Sequence, residues 1–322
     1  MLIAGSCGKS EIVNRMQMKI RVRWWRMKLK KSKIGNETVG YLFIAPYYLF
    51  FVFMLLLPIG NVIINSFTNY DLYDRHDFIG LTNYMNLFQD ELFLQAMRNT
   101  LVYSVLYIVP SMVLGLGLAL LFSKEGKGFP FFRAAFYIPY VISMVCASAI
   151  WLWIFDPVNG VLNQLLTALG LPAGTWLKDP GKAMGCVVLV SVWKSLGYCM
   201  LIYLSGIKGV PGYLYEAAKL DGANALQRFR YITLPMLQPT TFFLFITSCI
   251  SSFNVFEQVN VLTAGGPLNA TSTVVHQIYT RGFTQFRMGY ASAMSVVLLI
   301  IISVITMANF RYGNQGKDMD IG

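Results

Sequence analysis

Six stretches of this chain run apolar for about 20 to 25 residues each, the length at which an α-helix crosses roughly 30 Å of hydrocarbon at ~1.5 Å per residue. They are Tyr41–Ile64, Asn99–Phe122, Ala134–Phe155, Ala183–Gly206, Pro239–Leu262 and Tyr290–Phe310. A bilayer has no water to satisfy a free backbone amide or carbonyl, so stretches of this length must be helical. The expected fold class is therefore an all-α polytopic membrane protein with six transmembrane helices. Charged residues make up 13% of the chain, about half the share in a soluble domain, which excludes a string of soluble domains. Pro46, Pro58, Pro110 and Pro139 fall inside or near span ends, where neighbouring helices can satisfy the carbonyls that proline frees.

Orientation follows from where Lys and Arg lie. Residues 1–40, 123–133, 207–237 and the tail after Phe310 carry nineteen, against six in 65–98, 156–182 and 263–289. Both termini and the 207–237 loop are expected in the cytoplasm. The chain divides into a basic cytoplasmic extension, 1–40, a six-helix transmembrane domain, 41–310, and a cytoplasmic tail, 311–322. The net charge of +11 is a topology signal rather than a nucleic-acid-binding face, because the basic residues flank membrane. The extension, with Trp24 and Trp25, reads equally as an interfacial helix on anionic lipid or as a disordered leader.

Several motifs fail on inspection. Gly5-Ser-Cys-Gly8-Lys9-Ser10 lacks the first glycine of a phosphate-binding loop, which would fall at Ile3, and no strand precedes it. Any ATP must then be hydrolysed by another polypeptide. Gly115 and Gly117 fit close helix packing better than a dinucleotide turn. His76 and His276 lie far apart in outer loops, and Cys146, Cys186, Cys199 and Cys249 have neither metal-ligand nor disulfide spacing. No catalytic constellation and no metal site is expected.

The 207–237 loop is a polar, helix-prone interruption between two apolar spans. Leu214–Leu220 reads as a short helix ended by a left-handed Gly222, with Asn224 capping a second helix over Ala225–Ile232. Pro235 and Pro239 then redirect the chain into the fifth span. Such a helix–turn–helix is either a connector resting on the membrane or a plug for a groove on another protein.

Glu216-Ala217-Ala218, Gly222 and Ile232-x-Leu234-Pro235 resemble the "EAA" loop of ABC-importer permeases. The resemblance extends to Phe78-Ile-Gly-Leu-Thr-Asn-Tyr84, Asp156-Pro-Val-Asn-Gly-Val-Leu-Asn163, Val192-Trp-Lys-Ser-Leu-Gly-Tyr198 and Leu262-Thr-Ala-Gly-Gly-Pro267. These segments look like carbohydrate-uptake permeases of the maltose and glycerol-phosphate type and cover most of residues 40–310; residues 1–35 have no counterpart. The resemblance implies a type I ABC-importer permease fold in a bacterial cytoplasmic membrane. It implies a second, similar permease as heterodimer partner, two ATPase subunits carrying ATP and Mg, and an extracytoplasmic sugar-binding protein. This chain would hold no cofactor, and Glu216, Ala217, Ala218, Asp221 and Gly222 would form the ATPase contact.

Ionisable groups inside a membrane are costly and mark function by default. Lys194, in the fourth span, and Glu257, in the fifth, are two such groups. On continuous helices, positions 254, 257 and 258 share a face, as do 194 and 198. Aromatic rings with amides suit sugars, whose apolar face stacks while their hydroxyls hydrogen-bond. The resemblance implies sugar contacts at Trp193, Ser195, Tyr198, Phe253 and Asn254. Lys194 and Glu257 admit three readings: a pair within the cavity, a cationic contact to an acidic or phosphorylated sugar, or mutual neutralisation that holds the bundle. An ion-coupled secondary transporter is the alternative, and it would be expected to show duplicated halves; none is evident between 41–155 and 183–310.

Overall fold

The computed structural model describes residues 33–73, 76–123, 126 and 128–313. Trp24, Trp25, the glycine-lysine segment 5–10 and the last nine residues lie outside the described residues. The chain forms two units, 1–61 and 62–322.

The helix α1 (Lys33–Phe51), in the first unit, begins before the expected span and runs through a π-turn, Val52–Leu56, into α2 (Leu57–Asn65). The π-turn has a local cause. Pro58 has no N–H and its ring would strike the carbonyl four residues back; Leu57 instead donates to Val52 O, widening the turn.

The second unit contains α3 (Thr82–Gln89), α4 (Glu91–Leu121), α5 (Phe129–Val141), α6 (Met144–Ile154), α7 (Val161–Ala168) and α8 (Ala183–Gly209). Then come α9 (Gly212–Leu220), α10 (Ala225–Arg228), α11 (Leu234–Met236), α12 (Gln238–Phe253), α13 (Glu257–Leu262), α14 (Val274–Tyr279) and α15 (Met288–Gly313). Among the described residues, four helices are long and apolar enough to cross a membrane: Phe43–Asn65, Glu91–Leu121, Ala183–Gly209 and Met288–Arg311. Two bent helix pairs bring the number to six if each is one span. The helices α5 and α6 meet at 99°, and Ala225–Met236 meets α12 at 62°.

Two expectations change here. The third span is not one helix but breaks at Ile142–Ser143, where ψ turns to 141° and 139°. The fifth ends at Phe253 and restarts at Glu257, so 254, 257 and 258 do not share a continuous helical face. Side chains close these gaps: Asn254 Nδ2 donates to Ile250 O at 3.0 Å, and Thr273 Oγ1 donates to Val255 O at 3.0 Å.

The helices α4 and α8 pack along one another, with Gly115 against Cys199. Gly117 faces open space instead. Gly197 of α8 receives α5 so closely that an added Cβ would lie 2.0 Å from Phe136 O. Tyr103, Phe155, Val187, Val190 and Val259 form one core cluster; Leu87, Phe93, Phe253, Val274 and Met294 form a second. A third, with Ala119, Met200, Tyr203, Leu237 and Leu244, underlies the 207–237 loop.

Polar residues of the quoted segments brace the connections. Asn83 Nδ2 donates to Ser66 O and Thr68 O at 2.9 and 2.8 Å. Asn163 donates to Pro157 O and Gly174 O and accepts from Gly174 N–H and Trp176 Nε1–H, which uses its full side-chain capacity. Asp90 caps α4, accepting from Leu92 and Phe93 N–H, while pairing with Arg281 at 3.1 Å and accepting from Tyr290 OH at 2.8 Å. One carboxylate thus ties the starts of α4 and α15 to the segment between α14 and α15.

Candidate functional site

A cavity of about 480 Å³, within the ordinary range for a small-molecule site, opens where α4, α8 and both broken spans converge. Of the residues singled out in the sequence, Lys194, Ser195, Asn254 and Glu257 line it. So do Tyr103, Tyr107, Tyr140, Ser191 and Gln258. The Tyr103 and Tyr107 rings stack 5.7 Å apart and nearly parallel. Gln258 Nε2 donates to Tyr103 OH at 3.0 Å and to Ser191 Oγ at 3.2 Å, and the Ser111 and Ser195 hydroxyls meet at 3.1 Å. The result is an aromatic wall with hydroxyls and amides held in place.

Three expected contacts sit elsewhere. Phe253 is buried in the second core cluster, and Trp193 packs edge-on against Trp151 with ring centres 5.5 Å apart. Tyr198 is not in the lining set but stacks at 4.8 Å on Tyr140, which is. Tyr103 and Tyr107 were readable as an i, i+4 pair on the second span, but which face they present is not encoded in that spacing.

Lys194 proves informative for a structural reason. Its Nζ donates to Tyr140 O at 2.9 Å and lies 5.4 Å from the Tyr140 ring centre, with no carboxylate within 4.0 Å among the described residues. Tyr140 is in the last turn of α5, where the break leaves carbonyls without intrahelical partners. The ammonium therefore caps a helix C-terminus, where the backbone dipole favours a cation. Glu257 shares the cavity but lies beyond 4.0 Å of the ammonium; it stands in the first turn of α13, the end that favours an anion.

The loop forms the expected helix–turn–helix. Gly222 has φ +79°, Ala223 N–H donates to Ala218 O at 2.8 Å, and Gly222 N–H to Lys219 O at 3.1 Å, the double closure of a Schellman end. Asn224 and Gln227 form a reciprocal capping box at 2.9 and 2.8 Å. The second helix is shorter than expected. It passes at Phe229 into a π-turn, Phe229–Thr233, in which Leu234 donates to Phe229 O just ahead of Pro235, repeating the arrangement before Pro58. Glu216, Ala217, Asp221 and Gly222 are exposed and Ala218 is partly so; Tyr213, Leu220, Leu226 and Tyr231 add exposed apolar surface.

Residues 100–317 match the family of binding-protein-dependent transport system inner membrane components. The chain belongs to this family. It is a multi-pass inner-membrane permease. It is 38% identical over 287 residues to the probable ABC transporter permease YurN of Bacillus subtilis, covering 88% of this chain and 98% of the relative. It is 33% identical over 281 residues to the sn-glycerol-3-phosphate transport system permease UgpA of Agrobacterium fabrum, covering 86% and 95%. A chain of a bacterial ABC transporter involved in import of the acidic polysaccharide alginate superposes with a TM-score of 0.80 at 25% identity, over 91% of this permease and 99% of that chain.

Behind the cavity, Phe256 contacts Tyr279 and the buried His276, whose Nδ1 meets Ser272 Oγ at 3.3 Å and whose ring fills the space above Gly265. Burial pushes the His276 imidazole below its usual value near 6.5. The unfolded chain then takes up a proton that the folded protein refuses, so stability is unaffected well above about pH 6.5 and falls as pH drops below it. Asp156, held low by backbone N–H donors of Asn159 and Val158, and Asp179, held low by Lys182, lose their contributions only below about pH 4. The thermal midpoint in detergent is expected to fall between about pH 7 and pH 5.5, and His276→Gln to flatten that dependence. An unchanged slope in His276→Gln would assign it to other groups.

Proposed function

We propose that this permease is one of two similar transmembrane subunits of an ATP-driven importer that carries a carbohydrate by alternating access. The observation that carries the reading is the cavity: stacked tyrosines beside fixed hydroxyls, amides and one charge of each sign offer a sugar both an apolar platform and hydrogen-bond partners. The names of the relatives support it, one being a sn-glycerol-3-phosphate system and another an importer of alginate. Two ATPase subunits, which bind ATP and Mg, would dock on the loop around Glu216–Gly222. An extracytoplasmic binding protein would deliver cargo, as the alginate system has been seen with its pentasaccharide-bound periplasmic protein. The excess of Lys and Arg in 1–40, 207–237 and the tail supports cytoplasmic termini.

The test is reconstitution with co-expressed partners and measurement of carbohydrate uptake with and without ATP. Uptake by this chain alone, without ATP, would refute the reading in favour of an ion-coupled carrier. Lys194→Met and Glu257→Gln should each lower uptake roughly tenfold, the scale of a lost charged hydrogen bond. Full uptake in both single variants would remove these residues from the cargo path, and recovery in the double variant would reduce them to a structural pair.

A further inference from the structure

The loop contains a joint between its first helix and its π-turn. Among the described residues α9 packs broadly against no other helix, so its hold on the rest of the protein depends on few contacts. One of these is specific. Tyr215 OH lies 2.9 Å from Thr233 Oγ1, and Thr233 Oγ1 is 3.4 Å from Arg228 O, which it can reach as a donor. Thr233 is only 5% exposed and closes the π-turn that precedes α11. The other side-chain bond across the turn, Arg228 Nη1 to Ala223 O, is long at 3.4 Å and does not involve α9. From Thr233 the backbone runs through α11 and the 62° bend at the fully buried Leu237 into α12, whose far end supplies Ile250, Ser251 and Asn254 to the cavity.

We propose that the Tyr215–Thr233 hydroxyl pair is the latch that makes α9 and α12 move as one body, so that displacement of the loop reaches the cavity wall. This rests on the reading that an ATPase docks on α9. The covalent route alone passes through the left-handed turn at Gly222, whose two closing bonds hold the end of α9 and do not reach α11 or α12. A hydroxyl pair anchored on a buried threonine supplies the missing rigidity, and the proline-forced π-turn sets Thr233 where Tyr215 reaches it.

The experiment uses the full complex of this chain, its second permease, the ATPases and the binding protein, with spin labels at Lys219→Cys on α9 and Phe243→Cys on α12. The α9–α12 separation is measured with and without Mg-ATP, alongside ATP hydrolysis and ATPase co-purification. The otherwise unsubstituted complex and Thr233→Ser, which keeps the hydroxyl, should give one narrow separation that Mg-ATP does not change. Tyr215→Phe and Thr233→Val should retain the ATPase and its hydrolysis, yet show a broadened separation that Mg-ATP shifts by about 2 Å or more, the scale of a helix displacement. A merely structural role would leave the separation independent of nucleotide. Narrow, nucleotide-independent separations in both Tyr215→Phe and Thr233→Val, with ATPase bound and active, would overturn the latch alone. Failure of any ATPase to co-purify with the unsubstituted chain would overturn the docking reading and the latch with it.

Discussion

Gly222→Val is expected to insert and assemble normally but to lose the stimulation of ATP hydrolysis by cargo-loaded binding protein, by about tenfold or more. The argument is conformational, not steric. At φ +79° an added Cβ would meet nothing within 4 Å, so the site has room for a side chain. The backbone does not: a β-branched residue in the left-handed region is disfavoured by roughly 1–2 kcal/mol and its χ1 is restricted as well. The cheapest relief is to abandon that conformation, which opens the bonds from Ala223 N–H to Ala218 O and from Gly222 N–H to Lys219 O. Those bonds close the last turn of α9, where Ala217, Ala218 and Asp221 stand. Gly222→Asn, which tolerates the left-handed region, should keep much of the coupling. Stimulated hydrolysis at the unsubstituted level in Gly222→Val would show that the turn is dispensable.

A second large effect is expected at Gly197, and here the cause is space. An alanine Cβ would stand 2.0 Å from Phe136 O, 2.6 Å from Phe136 C and 2.7 Å from Tyr137 Cα. These are backbone atoms, so no rotamer change relieves the clash and α5 must move away from α8. Overpacking of this kind costs about 1–3 kcal/mol or more. The same movement would pull Tyr140 O from Lys194, one turn along α8. Gly197→Ala should lower the unfolding midpoint in detergent by roughly 5 °C or more. Gly117→Ala, with nothing within 4 Å, supplies the contrast: alanine is the better helix former, so it should be neutral or stabilising. Equal midpoints in the two variants would mean that α5 does not approach α8 as described.

The existence and approximate limits of the helices were legible because apolar length is a physical requirement of the bilayer. The turn of the loop was legible because Gly222 and Asn224 have few other uses. The breaks were not. Val141-Ile-Ser-Met-Val145 is an apolar run without glycine or proline, and Pro139, the nearest warning, lies inside α5. What permits the break is remote: Lys194, over fifty positions away, supplies a donor to the carbonyl of Tyr140. Asn254 and Thr273 serve the fifth span in the same way. Tertiary compensation of this kind leaves no local periodicity, so i, i+3 and i, i+4 spacing does not bring 254, 257 and 258 onto one face. The family resemblance pointed to the fourth and fifth spans, yet Phe253 went to the core, Trp193 packs against Trp151, and Tyr103 and Tyr107, on another span, took the wall.

Two of the cavity's polar side chains, Lys194 and Asn254, also hold helix ends, and this constrains how the protein can evolve. A lineage adapting to a new cargo through either residue would uncap a helix in the same step, so adaptive change there is coupled to loss of the fold. Met144, Ile250, Ser251 and Glu257 line the same space and make no side-chain hydrogen bond among the described residues. Diversification of cargo in close descendants of this chain should therefore concentrate at those four positions, while Lys194 and Asn254 stay fixed across proteins that carry different molecules.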